Sequence, residues 1–334
     1  MGSLSAAAHL RHPIANLEDV GAARRAATRL VQLGAVEAGL AELITTELAT
    51  NVLRHGAGGY LLLRPDGDGL EVIAVDSGPG ITDRPRPDPP RWSDGLGAGL
   101  ATVTRLATTM DVYSSPAGTT VLARLVPTPE AGATSGIVWG GVNVPLDGEE
   151  ESGDAWSVRT RRDGSVWALV VDGLGHGPQA ARAAAVAVRE FDRTEGGDVS
   201  TFVRRAHEAM NGTRGGVLGT CVIDPAAGRL EHLGVGNVAG RILTGGKSRG
   251  LVSQNGSLGT HLPLPRLQRA RYEWAAGSVL VLSSDGIRSG SDPASYPGLL
   301  AHHPAVIAAT LHRDHQRGTD DATVLVVKDD RSRP

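Results

Sequence analysis

The chain has 334 residues, of which 40% are apolar and 21% are charged, a composition typical of a soluble globular protein with two domains. Aromatic residues make up only 3%, so the cores must be built mainly from Ala, Val and Leu. A formal net charge of −3 gives no reason to expect nonspecific nucleic-acid binding. Cys221 is the only cysteine of the sequence, which excludes an internal disulfide and favours a reducing compartment.

Membrane insertion and export are not indicated by the sequence. No apolar run approaches the roughly 20 residues that a membrane helix needs, and the N-terminus lacks the order of segments found in a signal peptide. We therefore expect a cytoplasmic protein with neither a membrane nor a nucleic-acid partner. Cys221 lies in an apolar stretch, where a small core side chain is a simpler interpretation than a nucleophile.

Two helices are predicted in the first part of the chain, over residues 18–33 and 36–54, because apolar side chains recur there at helical spacing. Glu47, Asn51 and His55 follow one another every four residues and therefore share one face of the second helix. That face is either a solvated polar surface or part of a binding site, and the spacing by itself favours the solvated surface. Strands are predicted at 60–64 and 70–75, joined by a turn at 66–69.

Glycines follow the second of these strands and precede the next helix. The strand ends at Asp76, and Gly78 and Gly80 lie in the loop after it. Further on, Thr119 begins a closing strand. Backbone N–H groups at the start of a helix can bind phosphate, although a glycine run by itself is a weak signal. The glycines that open the helix predicted at 101–107 are Gly95, Gly97 and Gly99.

Four segments in this order resemble the ATP sites of the GHKL superfamily, in particular those of small anti-sigma-factor serine kinases of the RsbT and RsbW type. They are ELATN, DSGPGI, GLGAGL and GTT, within about residues 16–126. The resemblance implies a two-layer α/β sandwich (the Bergerat fold) that binds ATP. Asn51 would carry Mg²⁺, Asp76 would accept a hydrogen bond from the adenine amino group, and Glu47 would orient or deprotonate the attacking hydroxyl. Other positions would surround the nucleotide: Gly78 and Gly80 at the base, Thr119 near the adenine, and Gly95, Gly97 and Gly99 around the phosphates.

The lid expected over such an ATP site is short in this sequence. Residues 92–94 lead straight into Gly95, with no cluster of Lys, Ser or Thr between them. A lid supplies phosphate donors and excludes water. For the domain predicted at 1–126, ATP binding with kinase activity and a non-catalytic partner-docking module therefore both stay open.

Residues 127–135 contain two prolines and one charge, which predicts a linker to a second domain at 136–329. This domain begins with a strand pattern and crosses an acidic loop at 147–151, for which a solvated surface is the simpler interpretation. Strands flank two helices predicted at 178–194 and 199–211, and a last helix is predicted at 304–315. This α+β order suits two stacked mixed or antiparallel sheets with helices outside.

Four aspartates of the second domain lie at the ends of predicted strands or in the tight turns beside them. Asp172 ends an apolar strand and precedes Gly173, whose missing side chain leaves its carbonyl open to a ligand. A carboxylate beside such a carbonyl suits a hard divalent cation. If the sheets bring the four carboxylates together, their charges will repel strongly unless cations neutralise them. The other three are Asp154, Asp285 and Asp320.

The motifs around these aspartates resemble the metal-dependent serine/threonine phosphatases of the PPM family, in the compact SpoIIE-like branch. They are SGDAW, VVDGLGHG, GTCVIDPAAGRLEHLGVGN, SSDGI and GTDDATVLVV, while GVGNVAGRI and NGSLG are most similar to RsbX-type enzymes. The resemblance covers about residues 136–327 and implies an α-β-β-α sandwich. It implies that Asp172 bridges two Mn²⁺ or Mg²⁺ ions and that Asp154 holds a metal-bound water. Further ligands would be the Gly173 carbonyl, Asp285 and Asp320.

The resemblance implies hydrolysis of phosphoserine or phosphothreonine, with two ions activating a water between them. Substrates would be STAS-type anti-sigma antagonists or stressosome proteins in a partner-switching pathway, with a sigma-factor regulator as a further partner. His176 either acts as a general acid on the leaving hydroxyl or only shapes its loop. Two alternatives remain for the whole chain: a phosphatase whose N-terminal half only docks a partner, and a scaffold with two degenerate sites.

Overall fold

The computed structural model of the chain describes residues 4–5, 7–32, 34–81, 97–126, 136–194, 198–260, 264 and 266–331. The chain divides into two compact units. The N-terminal unit is His9–Pro129, and the C-terminal unit combines Met1–Ala8 with Glu130–Pro334. The first strand, β1 (Leu4–Ser5), pairs antiparallel with a strand of the C-terminal unit. This differs from the domain predicted to start at residue 1, because the N-terminal unit is inserted into the chain of the C-terminal one.

The N-terminal unit packs helices on one face of an antiparallel sheet. The helices that the structure describes here are α1 (Leu17–Val31), α2 (Ala38–His55) and α3 (Gly97–Leu106). The strands are β2 (Leu10–Ile14), β3 (Gly59–Asp66), β4 (Gly69–Asp76), β5 (Thr109–Ser115) and β6 (Gly118–Leu125). They lie in the order β2-β3-β4-β6-β5. The predicted two-layer α/β sandwich is confirmed.

Local sequence explains where α1 begins and which face of α2 is buried. Asn16 Oδ1 accepts hydrogen bonds from the backbone N–H groups of Glu18 and Asp19, at 2.8 and 3.1 Å. Asp19 in return accepts from the N–H of Asn16 at 3.1 Å, which completes a capping box. On α2, Ile44 and Leu48 are one turn apart and are fully buried in the core against the sheet.

The C-terminal unit stacks two antiparallel sheets between outer helices. In chain order its further elements are β7 (Ile137–Val144), β8 (Asp154–Thr160), β9 (Val166–Gly173), α4 (Pro178–Arg193), α5 (Val199–Ala209), β10 (Gly216–Asp224), β11 (Arg229–Val235), β12 (Ala239–Thr244), β13 (Lys247–Gly250), β14 (Ala270–Glu273), β15 (Val279–Ser283), α6 (Pro304–His315) and β16 (Ala322–Asp329). One sheet has the strand order β1-β8-β9-β10-β11-β14, and the other has the order β13-β12-β15-β16-β7.

This unit has two cores, because successive side chains along a strand point to opposite faces of the sheet. Val170 on β9 faces the space between the sheets, where it joins a cluster that includes Leu325 of the other sheet. The next residue, Val171, faces the outer helices and joins a cluster with Phe191. Cys221 is fully buried in the core between the sheets, as expected for a small apolar side chain. The predicted α-β-β-α sandwich is confirmed.

None of the helices that the structure describes combines the length and the apolar character needed to cross a membrane.

One carboxylate of the N-terminal unit is completely buried among cations on the sheet. Glu71 Oε1 accepts a hydrogen bond from Arg64 Nη2 at 2.8 Å, and its Oε2 accepts one from Arg124 Nε at 2.7 Å. His9 Nε2 lies 3.2 Å from Oε1. Burial alone would raise the pKa of Glu71, but Arg64 and Arg124 outweigh it and hold the pKa well below its usual range. The ionised Glu71 is therefore the counter-charge that two buried guanidinium groups share, while Asp66 Oδ2 lies 3.6 Å from Arg124 Nε.

Glu71→Gln should lower the free energy of unfolding of the N-terminal unit by about 3–5 kcal/mol, because it leaves buried cations without their counter-charge. Urea denaturation followed by circular dichroism measures this change. Glu37→Gln, at an exposed position of the same unit, is the matched control and should change the free energy by less than about 0.5 kcal/mol. Equal stability of the two variants would contradict the role of Glu71.

The same substitution should change the acid side of the stability profile. Because the folded-state pKa of Glu71 is lowered, its stabilising contribution is fully present above the pKa of an unfolded glutamate, about 4.3. The contribution is lost as the pH falls through the lower folded-state value. Glu71→Gln should therefore reduce the loss of stability that occurs as the pH falls below about 4.3, whereas Glu37→Gln should retain that loss.

Candidate active site

Strand pairing in the first sheet places two of the predicted aspartates side by side. Asp154 is the first residue of β8 and lies directly opposite Asp172, near the end of β9. Asp154 is buried and Asp172 is partly buried. Gly173 follows, and a side chain there would collide with the carbonyl oxygen of Ala180 on α4. The glycine therefore allows α4 to approach the end of β9.

The turns of the second sheet bring further carboxylates to the same place. Asp285 follows β15, and Asp320 and Asp321 precede β16, its antiparallel neighbour. Burial and three neighbouring carboxylates raise the pKa of Asp172 to about 7. In decreasing order of effect, those neighbours are Asp285, Asp320 and Asp321. We call Asp154, Asp172, Asp285, Asp320 and Asp321 the aspartate cluster.

Asp154 is the deepest member of the aspartate cluster. Burial, followed by the charge of Asp172, raises its pKa well above the usual range. Its Oδ2 atom is buried and has no hydrogen-bond partner. A buried carboxylate oxygen in this condition is costly unless a proton or a cation satisfies it.

The chemistry of the aspartate cluster fits a divalent cation. Carboxylate oxygens and a backbone carbonyl are the ligands that Mg²⁺ and Mn²⁺ prefer, and the repulsion that raises the pKa of Asp172 is relieved by positive charge. Within the described residues, however, no three acidic, histidine or cysteine side chains are arranged so that they could hold an ion as they stand. As the side chains stand, an ion would therefore be held by at most two of them, together with a backbone carbonyl and water.

Asp321 binds backbone groups of the loop between β7 and β8, a role that was not predicted from the sequence. Its Oδ1 accepts a hydrogen bond from the N–H of Leu146, and its Oδ2 accepts one from the N–H of Gly153, both at 2.8 Å. These bonds hold the two ends of the loop between β7 and β8 against the cluster. Asp320, which was predicted as the ligand, is less buried than Asp321.

Asn237 is a second residue of the site to which the sequence analysis assigned no role. It lies between β11 and β12, and its Nδ2 donates a hydrogen bond of 2.7 Å to Asp285 Oδ2. This bond orients the Asp285 carboxylate. The motif GVGN that contains it was part of the family resemblance, but only the folded chain shows what the amide touches.

The glycine-rich loop after β9 carries His176 at the surface beside the cluster. Gly175 and Gly177 have φ values of +86° and +74°, which other residues rarely adopt. His176 Nδ1 lies 2.7 Å from Glu149 Oε1, and 54% of the histidine side chain is exposed. The acidic loop at 147–151 is thus more than the solvated surface that was expected. Arg214 packs over the same loop: a side chain at Gly175 would lie 2.9 Å from its Nη1 atom.

The N-terminal unit gathers its predicted residues around a separate pocket, at the side of α2. Polar lining comes from Asn51, His55, Asp76 and Thr119, and apolar lining includes Leu48. Asp76 Oδ1 accepts hydrogen bonds from the N–H groups of Gly78 at 2.9 Å and Thr119 at 3.1 Å. The carboxylate is therefore fixed at the pocket wall. Gly80, with a φ of +78°, also lines it.

The first turn of α3 lies against the polar face of α2. A side chain at Gly99 would place its Cβ 2.5 Å from Glu47 Oε2 and 3.8 Å from Asn51 Nδ2. The Asn51 Nδ2 atom is buried at this contact and has no hydrogen-bond partner among the described residues. Gly97 is the first residue of α3, whereas Gly95 and the short lid at 92–94 lie outside the described residues.

The fold and the motifs place the C-terminal unit in the PPM class of protein serine/threonine phosphatases. Residues 162–329, half of the chain, match the family described as Stage II sporulation protein E (SpoIIE), and the chain belongs to that family. Residues 14–125 match the Histidine kinase-like ATPase domain. A search of curated proteins finds no match.

Solved structures agree with this assignment of the fold. A chain from work on the bacterial stressosome, described as a modular system adapted to control secondary messenger signalling, is 28% identical with a TM-score of 0.54, and the match covers 57% of this chain and 98% of that one. RsbX, crystallised in complex with magnesium, is 19% identical with a TM-score of 0.51, and the match covers 66% of this chain and 99% of RsbX.

The metal-free protein should lose stability as the pH rises from about 4 to about 7, the interval between the pKa of an unfolded aspartate, about 3.9, and that of Asp172. Because the folded-state pKa is raised, the contribution of protonated Asp172 is fully present below the unfolded value and is lost as the pH rises through about 7. Thermal unfolding of the EDTA-treated protein across this interval measures the effect.

Asp172→Asn removes the titrating group and should flatten this pH dependence, whereas Glu208→Gln, an exposed change on α5, should preserve it. Added Mn²⁺ should raise the unfolding temperature of the wild type, because a cation that binds the folded state stabilises it. It should not raise that of Asp172→Asn, which lacks the carboxylate that would hold the cation. Identical pH profiles for wild type and Asp172→Asn would show that the aspartate cluster is not repulsive.

Proposed function

We propose that this protein hydrolyses phosphoserine or phosphothreonine in other proteins with the help of two Mn²⁺ or Mg²⁺ ions. The observation that carries the proposal is the aspartate cluster, whose charges and burial raise the pKa of Asp172 to about 7. A structural ion-pair network would pair these acids with arginine or lysine. Instead, the charges of neighbouring carboxylates act on Asp172, and a bound cation would relieve that repulsion.

The ligands of the two ions would be the residues that the motifs single out. Asp172, the Gly173 carbonyl, Asp285 and Asp320 would together hold the ions. When bound, the ions supply positive charge to the phosphoryl oxygens and lower the pKa of water.

The remaining steps fall to side chains of the chain itself. Asp154, whose buried Oδ2 has no partner, would accept a hydrogen bond from the attacking water and orient it. A new P–O bond forms to the water oxygen, which releases a proton to the solvent, as the bond to the serine or threonine oxygen breaks. The leaving oxygen takes a proton, which His176, 54% exposed and 2.7 Å from Glu149, would donate.

We propose STAS-type anti-sigma antagonists or stressosome proteins as the substrates, in a partner-switching pathway within the cytoplasm. The likeness to a chain from work on the bacterial stressosome supports this choice, since it combines 28% identity with 98% coverage of that chain. The fused ATPase-like unit supports it further, because a kinase-like partner of the same pathway is then part of the same chain.

For the N-terminal unit we propose ATP binding with Mg²⁺. The carboxylate of Asp76 is fixed by two backbone donors and would accept a hydrogen bond from the adenine amino group. Gly78, Gly80 and Thr119 would lie around the base. Asn51 would hold Mg²⁺ through its side-chain oxygen, beside Glu47, the candidate for orienting an attacking hydroxyl. Gly95, Gly97 and Gly99 would surround the phosphates. A partner-docking role without bound nucleotide is the alternative, and ATP titration distinguishes the two.

Asp172→Asn and Asp285→Asn should each lower Mn²⁺-dependent phosphate release from a phosphorylated STAS protein by more than about a hundredfold. Even partners of a metal ligand cost about 10–100-fold when they are mutated, and these residues would be ligands themselves. Glu208→Gln is the matched carboxylate-to-amide control on the exposed face of α5 and should retain activity. Near-wild-type turnover of either aspartate variant would discard the metal site.

ATP titration by calorimetry in the presence of Mg²⁺ tests the N-terminal site. Asp76→Asn should weaken binding by roughly ten- to a hundredfold, the effect of a lost hydrogen bond to a charged group, about 1.5–3 kcal/mol. Asn51→Ala should weaken the Mg²⁺-dependent part of binding. The exposed Asp68→Asn is the control. Absence of heat with millimolar Mg-ATP would instead support the docking role.

A further inference from the structure

A cavity of ≈ 470 Å³ lies beside the aspartate cluster and shares Asp285 with it. Its basic wall consists of Arg241, Arg288 and Arg317, and Asn237 lies at the boundary, where its amide donates to Asp285. We call this cavity the arginine pocket. Serine side chains add further hydrogen-bonding groups to its lining: Ser283, Ser284, Ser289 and Ser291.

The arginine pocket carries a net positive charge. Three arginines, set against Asp285 in the lining and Asp292 beside Arg241, leave a charge of +1, and a cation held by Asp285 would make the pocket more positive. Among the described residues, Arg288 Nη2 donates to the backbone carbonyls of Asp314 at 3.4 Å and Gln316 at 3.3 Å, and these contacts orient its charge without neutralising it. Arg317 is exposed.

The third arginine is held in place by an acidic neighbour outside the lining. Arg241 Nη1 lies 3.2 Å from Asp292 Oδ2 and donates to Ser248 Oγ at 2.8 Å. The main chain of Arg317 is fixed as well, because its N–H donates to the carbonyl of Gly286, next to Asp285, at 2.8 Å. The basic wall is thus anchored to the same turn that carries a proposed metal ligand.

We propose that the arginine pocket binds the carboxylate of an aspartate or glutamate that lies close in sequence to the phosphorylated residue of the substrate. The inference rests on the proposed phosphatase function, since a phosphoserine at the aspartate cluster requires the adjoining substrate chain to pass over a neighbouring surface. Guanidinium groups match carboxylates in geometry and charge. An extended chain advances roughly 3.3–3.6 Å per residue, so an acid within a few positions reaches the pocket.

The pocket would therefore select substrates by sequence, while the aspartate cluster performs the same chemistry on every phosphate ester. A cavity of ≈ 470 Å³ exceeds what a single metal-bound phosphate needs and falls within the usual range of ligand pockets, about 300–1,000 Å³. Its effect should appear in kcat/KM for peptides and be absent for a small ester that has no flanking chain.

The test uses the full-length protein with Mn²⁺ and a set of phosphoserine peptides. Each peptide carries one Glu at one of the three positions before or after the phosphoserine, and the reference peptide has Ala at all of them. At one or two positions, Glu should raise kcat/KM about tenfold, the effect of one charged hydrogen bond. Arg317→Ala should abolish this preference, whereas Arg205→Ala, an exposed arginine on α5, should keep it.

Hydrolysis of p-nitrophenyl phosphate separates the pocket from the metal site. Arg317→Ala should leave this rate unchanged, and Arg317→Glu should transfer the preference from Glu to Lys at the same peptide positions. The inference is overturned if the wild type shows no preference for Glu, if Arg317→Ala retains it, or if Arg317→Ala loses p-nitrophenyl phosphate hydrolysis equally. Absence of hydrolysis of every ester by the wild type would instead refute the phosphatase proposal, and this inference with it.

Discussion

Repulsion among partly buried carboxylates is the constraint on which the C-terminal unit depends. Pairing of β8 with β9 places Asp154 opposite Asp172, and the turns of the second sheet add the charges of Asp285 and Asp320. Neighbouring like charges destabilise the fold, so the pairing of strands in both sheets and the two packed cores must hold them together. The same repulsion gives a cation a reason to bind. The property that weakens the metal-free fold is therefore the one that we propose makes the site useful.

Much of this arrangement could be predicted from sequence because strand ends have local signals. An apolar run that stops at an Asp-Gly pair indicates both the strand and its end, as at Asp172 and Asp285. Contacts that depend on the tertiary register have no such signal. The bond between Asp321 and Leu146 joins residues 175 positions apart, and Asn237 reaches Asp285 across 48 positions. The role of Glu149 at His176 was missed for the same reason.

In the N-terminal unit, too, local sequence patterns predict only part of the structure. The spacing of Glu47 and Asn51 alone favours a solvated face, and the motifs that follow it favour a binding face. The contact that Gly99 on α3 makes with this face is visible only in the folded chain. Strand β5 was not predicted, because six of its seven residues are only partly buried and its apolar alternation is weak. Glu71 alternates with apolar neighbours as a solvent-facing residue would, yet it is fully buried, since its arginine partners come from two other strands.

The position of β1 has a consequence for how the two units are joined. Because Met1–Ala8 and Glu130–Pro334 belong to one unit, the inserted unit is tethered covalently at both of its ends. A fragment that begins at β7 would keep the aspartate cluster but would lose the pairing of Leu4 and Ser5 with Val158 and Ser157 on β8. The backbone groups freed on β8 would favour strand addition from another molecule. In this chain the two-residue strand β1 occupies that part of the sheet edge.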